Sequence, residues 1–315
     1  MKNFYLVTAA VLIILMLTLP LLSLAPEKTD TPLDTPPPVE VSDQITVLNS
    51  KTGQTEKMNM RDYLFGVVAA EISLSSEPET IKAQSVAAYT YALYKTEKNK
   101  KEKYDITTDS SVDQAYLTKA EISEKWGDKA AEYEKKLNDC LNATEGIYIS
   151  YDNKPIFAAY HAISSGKTES CETVWGNKLP YLVETESMGD LLSPDYLTEQ
   201  KISVDDFKAA FSEICTLPQN AAEFIGKITR SSSGGVKTIA VGNKTLTGGE
   251  FRKALKLRSA NFDVKLSDNT FIFTVRGYGH GVGMSQCGAE YMAKQGSTFS
   301  EILAWYYKGC ALKTK

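Results

Sequence analysis

Residues 276–289 read RGYGHGVGMSQCGA, with Gly277, Gly279, Gly281 and Gly283 alternating with Tyr278, His280 and Val282. Glycine at that density costs chain entropy unless the backbone needs dihedrals or close approaches that a Cβ would forbid. The stretch is therefore expected to be a rigid loop between a strand at 269–275 and a helix reaching about Gly296. Such a loop would set His280, Ser285 and Gln286 at the rim of a cleft. It is not a dinucleotide fingerprint, because G-x-G-x-x-G cannot be read in any register. Nor is it a nucleophile elbow, since Cys287 stands where the closing glycine of G-x-S-x-G belongs.

A second constraint lies in residues 59–73, NMRDYLFGVVAAEIS. Leu64, Val67 and Val68 recur at helical spacing, and the next position of that stripe is Glu71. A helix buries such a stripe, so Glu71 is expected to face the interior or a cleft. Burial disfavours the ionised form, and a carboxyl still protonated near neutral pH is suited to general acid catalysis. Periodicity leaves a second reading open, a structural glutamate held by an arginine or by backbone donors.

Residues 4–25 form an almost unbroken apolar run, FYLVTAAVLIILMLTLPLLSLA. Its length is close to the roughly 20 residues that cross a bilayer as a helix. Ser23-Leu24-Ala25 resembles a cleavage site, but the run exceeds a signal peptide's usual apolar core and Pro26 would follow the cut. The expectation is an uncleaved anchor at 1–25, with the N-terminus in the cytoplasm from the positive charge of Lys2. A Pro/Thr-rich tether at 26–42 follows, and then one large domain at 43–315, with 200–258 as an inserted subdomain. The net charge of -4 argues against a nucleic-acid partner.

Within that domain the pattern is α+β: mixed helices and antiparallel strands around a substrate cleft, in one or two lobes. Asn59 is a plausible cap for the Glu71 helix. A second helix starts near Ser76 with Pro78 and Glu79 in its first turn, and Ala83, Val86, Ala87, Thr90 and Tyr94 share one face of it. Another helical pattern covers 118–141. Strands at 146–151 and 155–160 flank Asp152-Asn153, a type I′ hairpin signal, and lead into the polar loop His161-Ala-Ile-Ser-Ser-Gly-Lys-Thr-Glu169. Helices are expected at 203–215 and 248–256, and strands near 225–230 and 236–241.

The chain has two histidines and five cysteines. No HExxH and no CxxC occurs, which excludes a His-rich catalytic zinc site and a zinc ribbon. A mixed site using His161, Cys171 and a further ligand is chemically conceivable. So is a thiol hydrolase pairing Cys287 with His280. The odd cysteine count leaves at least one thiol free, and no pairing follows from spacing.

Three segments together resemble one family. They are Asp62 to Ile72 with the following Ile81-Lys-Ala-Gln-Ser-Val-Ala-Ala88 and Thr90-Tyr-Ala-Leu93; Tyr160-His161 through Ser164-Ser-Gly-Lys-Thr-Glu169 to Val174-Trp175; and Gly277 to Gln286 with Gly288-Ala289. This ordered set is similar to the SpoIID/LytB family of sporulation proteins. The resemblance covers nearly the whole of 43–315. It departs at Tyr89, Ser165 and Cys287, where the family often carries Arg, Gly and Trp.

The resemblance implies a lytic transglycosylase acting on peptidoglycan glycan strands during engulfment of the forespore, outside the cytoplasm, with Glu71 as the acid. Tyr160, His161, Ser164, Ser165, Tyr278, His280, Ser285 and Gln286 are the candidates to orient the glycan or to structure the loops by hydrogen bonding; some members bind zinc near the cleft, and His161 and Cys171 are the positions here that would bear on it. Implied partners are a cell-wall amidase or endopeptidase and engulfment membrane proteins. The rival implication is a non-catalytic protein that binds cell wall and enhances a partner amidase.

Overall fold

The computed structural model describes residues 44–315. The expected anchor and tether lie outside the described residues, among which no helix is long and apolar enough to cross a membrane.

Strand β1 (Gln44–Leu48) pairs antiparallel with β2 (Thr55–Asn59). Helix α1 (Met60–Glu71) starts directly after it, with the Asn59 side chain accepting from the Arg61 amide as the expected cap. Helix α2 (Pro78–Lys98) has proline in its first turn, where the missing N–H costs nothing. Its buried residues include Thr80, Ile81 and every position from Ala83 to Leu93, so it is enclosed on all sides rather than along one face. Alanines at 83, 87, 88 and 92 let neighbouring elements approach. Its buried hydroxyls are satisfied locally, Ser85 donating to Ile81 O and Thr90 to Val86 O.

The short β3 (Ile106–Thr107) adds to β1 in parallel. The helical pattern expected at 118–141 is two helices, α3 (Lys119–Trp126) and α4 (Ala130–Ala143). Gly127 separates them at φ 50, ψ -128, a conformation open to glycine and strained for other residues. Thr118 and Glu121 form a reciprocal capping box at the start of α3.

Strand β4 (Ile147–Tyr151) turns through Asp152 and Asn153, both at positive φ, into β5 (Lys154–Pro155). The turn is the type I′ form that was expected, but the second strand does not run to residue 160. The Ala159 amide folds back onto Phe157 O at 2.9 Å, which removes it from any ladder. The chain resumes as β6 (Tyr160–His161) on a different partner. Helix α5 (Cys171–Trp175), capped by Ser170, follows the polar loop.

A second core occupies the next stretch. Strand β7 (Leu197–Ser203), helix α6 (Val204–Phe211), the antiparallel strands β8 (Ile225–Arg230), β9 (Val236–Val241) and β10 (Lys244–Thr247), helix α7 (Gly248–Leu255), and strands β11 (Phe262–Ser267) and β12 (Thr270–Arg276) enclose it. Phe207, Phe211, Phe224, Phe251, Phe262, Phe271 and Phe273 fill its centre. This core draws on residues as late as Val275, past the 258 boundary expected for an insertion. The reason is that β12 pairs with both β11 and β7.

The chain then returns to the first core. Strand β13 (Met284–Ser285) pairs in parallel with β6, and α8 (Gln286–Lys294), α9 (Phe299–Tyr306) and β14 (Ala311–Thr314) complete it. The described residues are thus a mixed α+β arrangement of small sheets, antiparallel except at β1–β3 and β6–β13.

Candidate active site

Glu71 is the last residue of α1, one turn beyond the buried Val67 and Val68. Lys125 of α3 reaches that helix end, its Nζ donating to Ala69 O at 2.8 Å and Ala70 O at 3.3 Å. Burial is the main reason the Glu71 carboxyl is held above its ordinary range, and the partial negative charge at a helix C-terminus acts in the same direction. The Ala115 amide, the Gln286 side chain and the Lys125 charge oppose the shift without cancelling it.

The Ala115 amide donates to Glu71 Oε1 at 2.7 Å, and it belongs to a segment that sequence reasoning overlooked. Asp113-Gln-Ala-Tyr116 lies along α1. Asp113 anchors it, accepting from Tyr91 Oη at 2.7 Å and the Thr107 amide at 2.9 Å while pairing with Lys95 at 2.7 Å. The Tyr116 ring stacks on Tyr63 at 5.9 Å, and the Leu117 amide donates to Gly66 O. A Cβ at Gly66 would collide with the Tyr116 ring and sit 2.7 Å from Leu117 O. The signal available in the sequence was therefore a glycine in the middle of a helix, where it is unfavourable by about 1 kcal/mol relative to alanine.

Gln114 bridges two phenols: its Nε2 donates to Tyr63 Oη at 3.1 Å, and its Oε1 accepts from Tyr160 Oη at 2.9 Å. Gln286, at the start of α8, donates to Gln84 Oε1 at 3.3 Å. Glu71 is thereby bordered by the Ala115 amide, the Tyr160 phenol and the Gln286 amide, contributed by three separate stretches of chain.

The glycine loop forms a wall behind β6, the strand that carries Tyr160 and His161. All four alternating glycines have φ between 73° and 114°, and a Cβ at Gly283 would overlap Ala159 O. This close backbone approach carries the β6–β13 pairing. The Val282 amide donates to His280 Nδ1 at 3.0 Å, while His161 Nδ1 donates to Val282 O at 3.1 Å. The rings lie 5.7 Å apart, and Trp175 covers His280 at 4.9 Å. Burial pushes both imidazoles down, His280 to about 3 with help from the neighbouring His161 and Arg252. Both are neutral bases at physiological pH.

Ser164 and Ser285 turn away from any ligand. Both are buried, and their hydroxyls bond the carboxyl of Asp190, which is 0% exposed. The Ser164 amide adds a third donor at 2.9 Å. Ser285 also caps α8 through the Gly288 amide. Ser165 is half-buried and donates to Ser233 O in the β8–β9 turn. Tyr278 is exposed beneath the Arg258 guanidinium at 4.5 Å. Of the residues singled out from the sequence, Tyr160 and Gln286 act directly on Glu71, and His161 and His280 form the adjoining layer.

The donor set for zinc is incomplete. His161 Nε2 is bare and buried without a partner, but among the described residues no group of three His, Cys, Asp or Glu side chains is placed to hold a metal ion. Cys171 packs into the first core. All five cysteines are free thiols. Burial, with Asp190 adding to it, raises the Cys287 thiol to about 11. With His280 Nδ1 already occupied by an amide, the pair lacks an activated thiolate.

These features set one helix-terminal carboxyl, raised above its ordinary range by burial, among amides and a phenol, with two neutral imidazoles in the adjoining layer. The family profile described as Stage II sporulation protein matches residues 48–151, which include Glu71 and the Asp113–Tyr116 segment. Stage II sporulation protein D of Bacillus subtilis is 35% identical over 269 residues, covering 84% of this chain and 77% of the relative. The Bacillus amyloliquefaciens protein of the same name is 34% identical over the same shares. The amidase enhancer of Bacillus subtilis is 25% identical over 79% of this chain and 40% of its own length. The chain belongs to the stage II sporulation protein D family.

Proposed function

We propose that this sporulation protein is a lytic transglycosylase that cleaves the bond between N-acetylmuramic acid and N-acetylglucosamine in peptidoglycan. The observation that carries this reading is the company Glu71 keeps: a carboxyl raised by burial, on which an amide N–H, a phenol, a side-chain amide and a lysine act, with no second carboxyl among the groups that act on it in the described residues. Ordinary glycosidases need two carboxylates, one for the leaving group and one for water or the sugar. A lytic transglycosylase needs one. Glu71 gives its proton to the glycosidic oxygen as the C1–O bond breaks. The C6 hydroxyl of the same muramic residue closes onto C1 and returns its proton to Glu71, leaving a 1,6-anhydro ring. Tyr160 and Gln286 orient the carboxyl, and the exposed Trp175 indole, backed by His280, offers a flat surface to a sugar ring.

In this reading residues 1–25 anchor the protein in a membrane, residues 26–42 hold the domain away from it, and the domain faces the cell wall outside the cytoplasm. Its partners are glycan strands, a cell-wall amidase or endopeptidase that removes stem peptides, and other membrane proteins of engulfment.

The test is product analysis. Glycan strands with and without stem peptides are incubated with the protein, with and without chelator, and examined by mass spectrometry. Anhydro-muropeptides or anhydro-disaccharides formed by the wild type and not by Glu71→Gln support the assignment. Equal product from the variant, or none from the wild type, rejects it. The similarity to an amidase enhancer favours one second reading, a wall-binding activator of an amidase. That role predicts stimulation of the amidase by wild type and Glu71→Gln alike.

A further inference from the structure

We propose that Gln114 is a positioning residue that holds the Tyr160 hydroxyl with its hydrogen turned away from Glu71, so that Tyr160 accepts a hydrogen bond from the protonated acid. The inference rests on reading Glu71 as the proton donor and adds the device that keeps the donor loaded.

A phenol has one hydrogen. Tyr160 gives it to Gln114 Oε1 at 2.9 Å, so what Tyr160 offers on its Glu71 side is an oxygen lone pair. That lone pair accepts from a carboxylic acid and repels a carboxylate. The orientation of the Gln114 amide decides the matter, because a flipped amide would donate to Tyr160 and turn its hydrogen onto Glu71. In the structure the amide is held the other way, with Nε2 donating to Tyr63 Oη at 3.1 Å. Tyr63 is 0% exposed and Gln114 3% exposed, so water does not compete for either group. The backbone on both sides of Gln114 is fixed as well, through Asp113 on Lys95, Tyr91 and Thr107, and through Ala115 on Glu71.

The division of labour across Glu71 follows. The Ala115 amide occupies Oε1, leaving the other oxygen to carry the proton. Tyr160 favours the acid. Ala115, Gln286 and Lys125 favour the carboxylate that exists between the two proton transfers. Of the other titratable groups near it, Tyr63 and Tyr160 are neutral phenols held protonated by burial. Asp113 is neutralised by Lys95. A residue needed as an acid and then as a base has, in this arrangement, separate partners for each state.

The experiment is an NMR titration of the full chain labelled with carbon-13 at the glutamate side-chain carboxyls, with the Glu71 resonance assigned by its loss in Glu71→Gln. Gln114→Leu removes the acceptor, the Tyr160 hydrogen swings onto the carboxylate, and Glu71 titrates lower by about one pH unit, the size of one added hydrogen bond to a charged group. Tyr160→Phe removes the accepting oxygen and also lowers the titration. An unchanged or raised titration in either variant overturns the proposal. If Gln114→Leu does not fold, Tyr160→Phe decides alone, since a Tyr160 that donated to the carboxylate would give a rise. A merely structural Gln114 would lower the melting temperature and leave the titration where it was. Absence of anhydro products would defeat the transglycosylase reading without altering the titration result, so the two failures are distinguishable.

Discussion

The Ala115 amide and the Glu71 carboxyl meet at 2.7 Å across a gap of 44 residues, and this bond ties the carboxyl to a segment that also packs along its helix through Tyr116 on Tyr63 and Leu117 on Gly66. Replacing Glu71 by glutamine keeps the acceptor oxygen and removes the acid. Glycan cleavage is expected to fall by roughly 10²–10⁴-fold, the usual contribution of a general acid. Stability should move the other way. The folded-state pKa of Glu71 lies above its ordinary 4.5, so the folded state binds the extra proton and wild-type stability declines as pH rises through that window. Glu71→Gln is expected to melt higher than wild type at pH 8, with the difference shrinking toward pH 4; thermal unfolding at the two pH values checks it.

Gly66→Ala tests how tightly the Asp113–Tyr116 segment is seated. Helix propensity alone favours the alanine by about 1 kcal/mol. The new Cβ meets the Tyr116 ring and Leu117 O, and overpacking of this kind costs about 1–3 kcal/mol. The expected result is a net loss of stability in urea together with reduced activity, because the displaced segment carries the Ala115 amide. A stabilised and fully active variant would contradict the geometry.

Asp190→Ala should be among the most damaging single changes outside the candidate site. It strands the Ser164 amide and the Ser164 and Ser285 hydroxyls in a buried place. At about 1–3 kcal/mol for each orphaned group, the loss is expected to reach roughly 3 kcal/mol or more by denaturant unfolding. Asp190→Asn keeps one accepting oxygen and should fall between that variant and wild type.

The buried imidazole of His280 gives the protein an acid-side weakness. Its folded-state pKa is about 3, below the ordinary 6.5. The unfolded chain therefore binds the proton between those values, and stability is lost as pH falls through 6.5 toward 3. In His280→Asn that slope should flatten, which urea midpoints measured from pH 7 to pH 4 would reveal against the wild type.

Much of the fold was legible because local chemistry and tertiary structure agreed. Asp152 and Asn153 adopt the positive φ that their turn requires, and the strands at 225–230 and 236–241 fall where alternation placed them. Glu71 stood out because its helix has a clear stripe. The rest depended on partners distant in sequence. Ser164 and Ser285 looked like cleft residues because serine is polar, and nothing local announces a buried Asp190 between them. Gln114 was missed for the same reason: its neighbours in space are Tyr63 and Tyr160, 51 and 46 residues away. The helical pattern at 118–141 hid its break because a single Gly127 can either be carried through a helix or stop it.

The glycine loop separates two kinds of information along one short stretch. Positions 277, 279, 281 and 283 hold the path of the backbone through their positive φ, while 278, 280 and 282 project the groups that meet Arg258, Trp175 and the first core. Path and payload can therefore diverge independently. A relative could exchange the ring at 278 or 280 and alter what its site grips without moving the wall on which the grip is mounted, whereas a change at any of the four glycines would shift the wall itself.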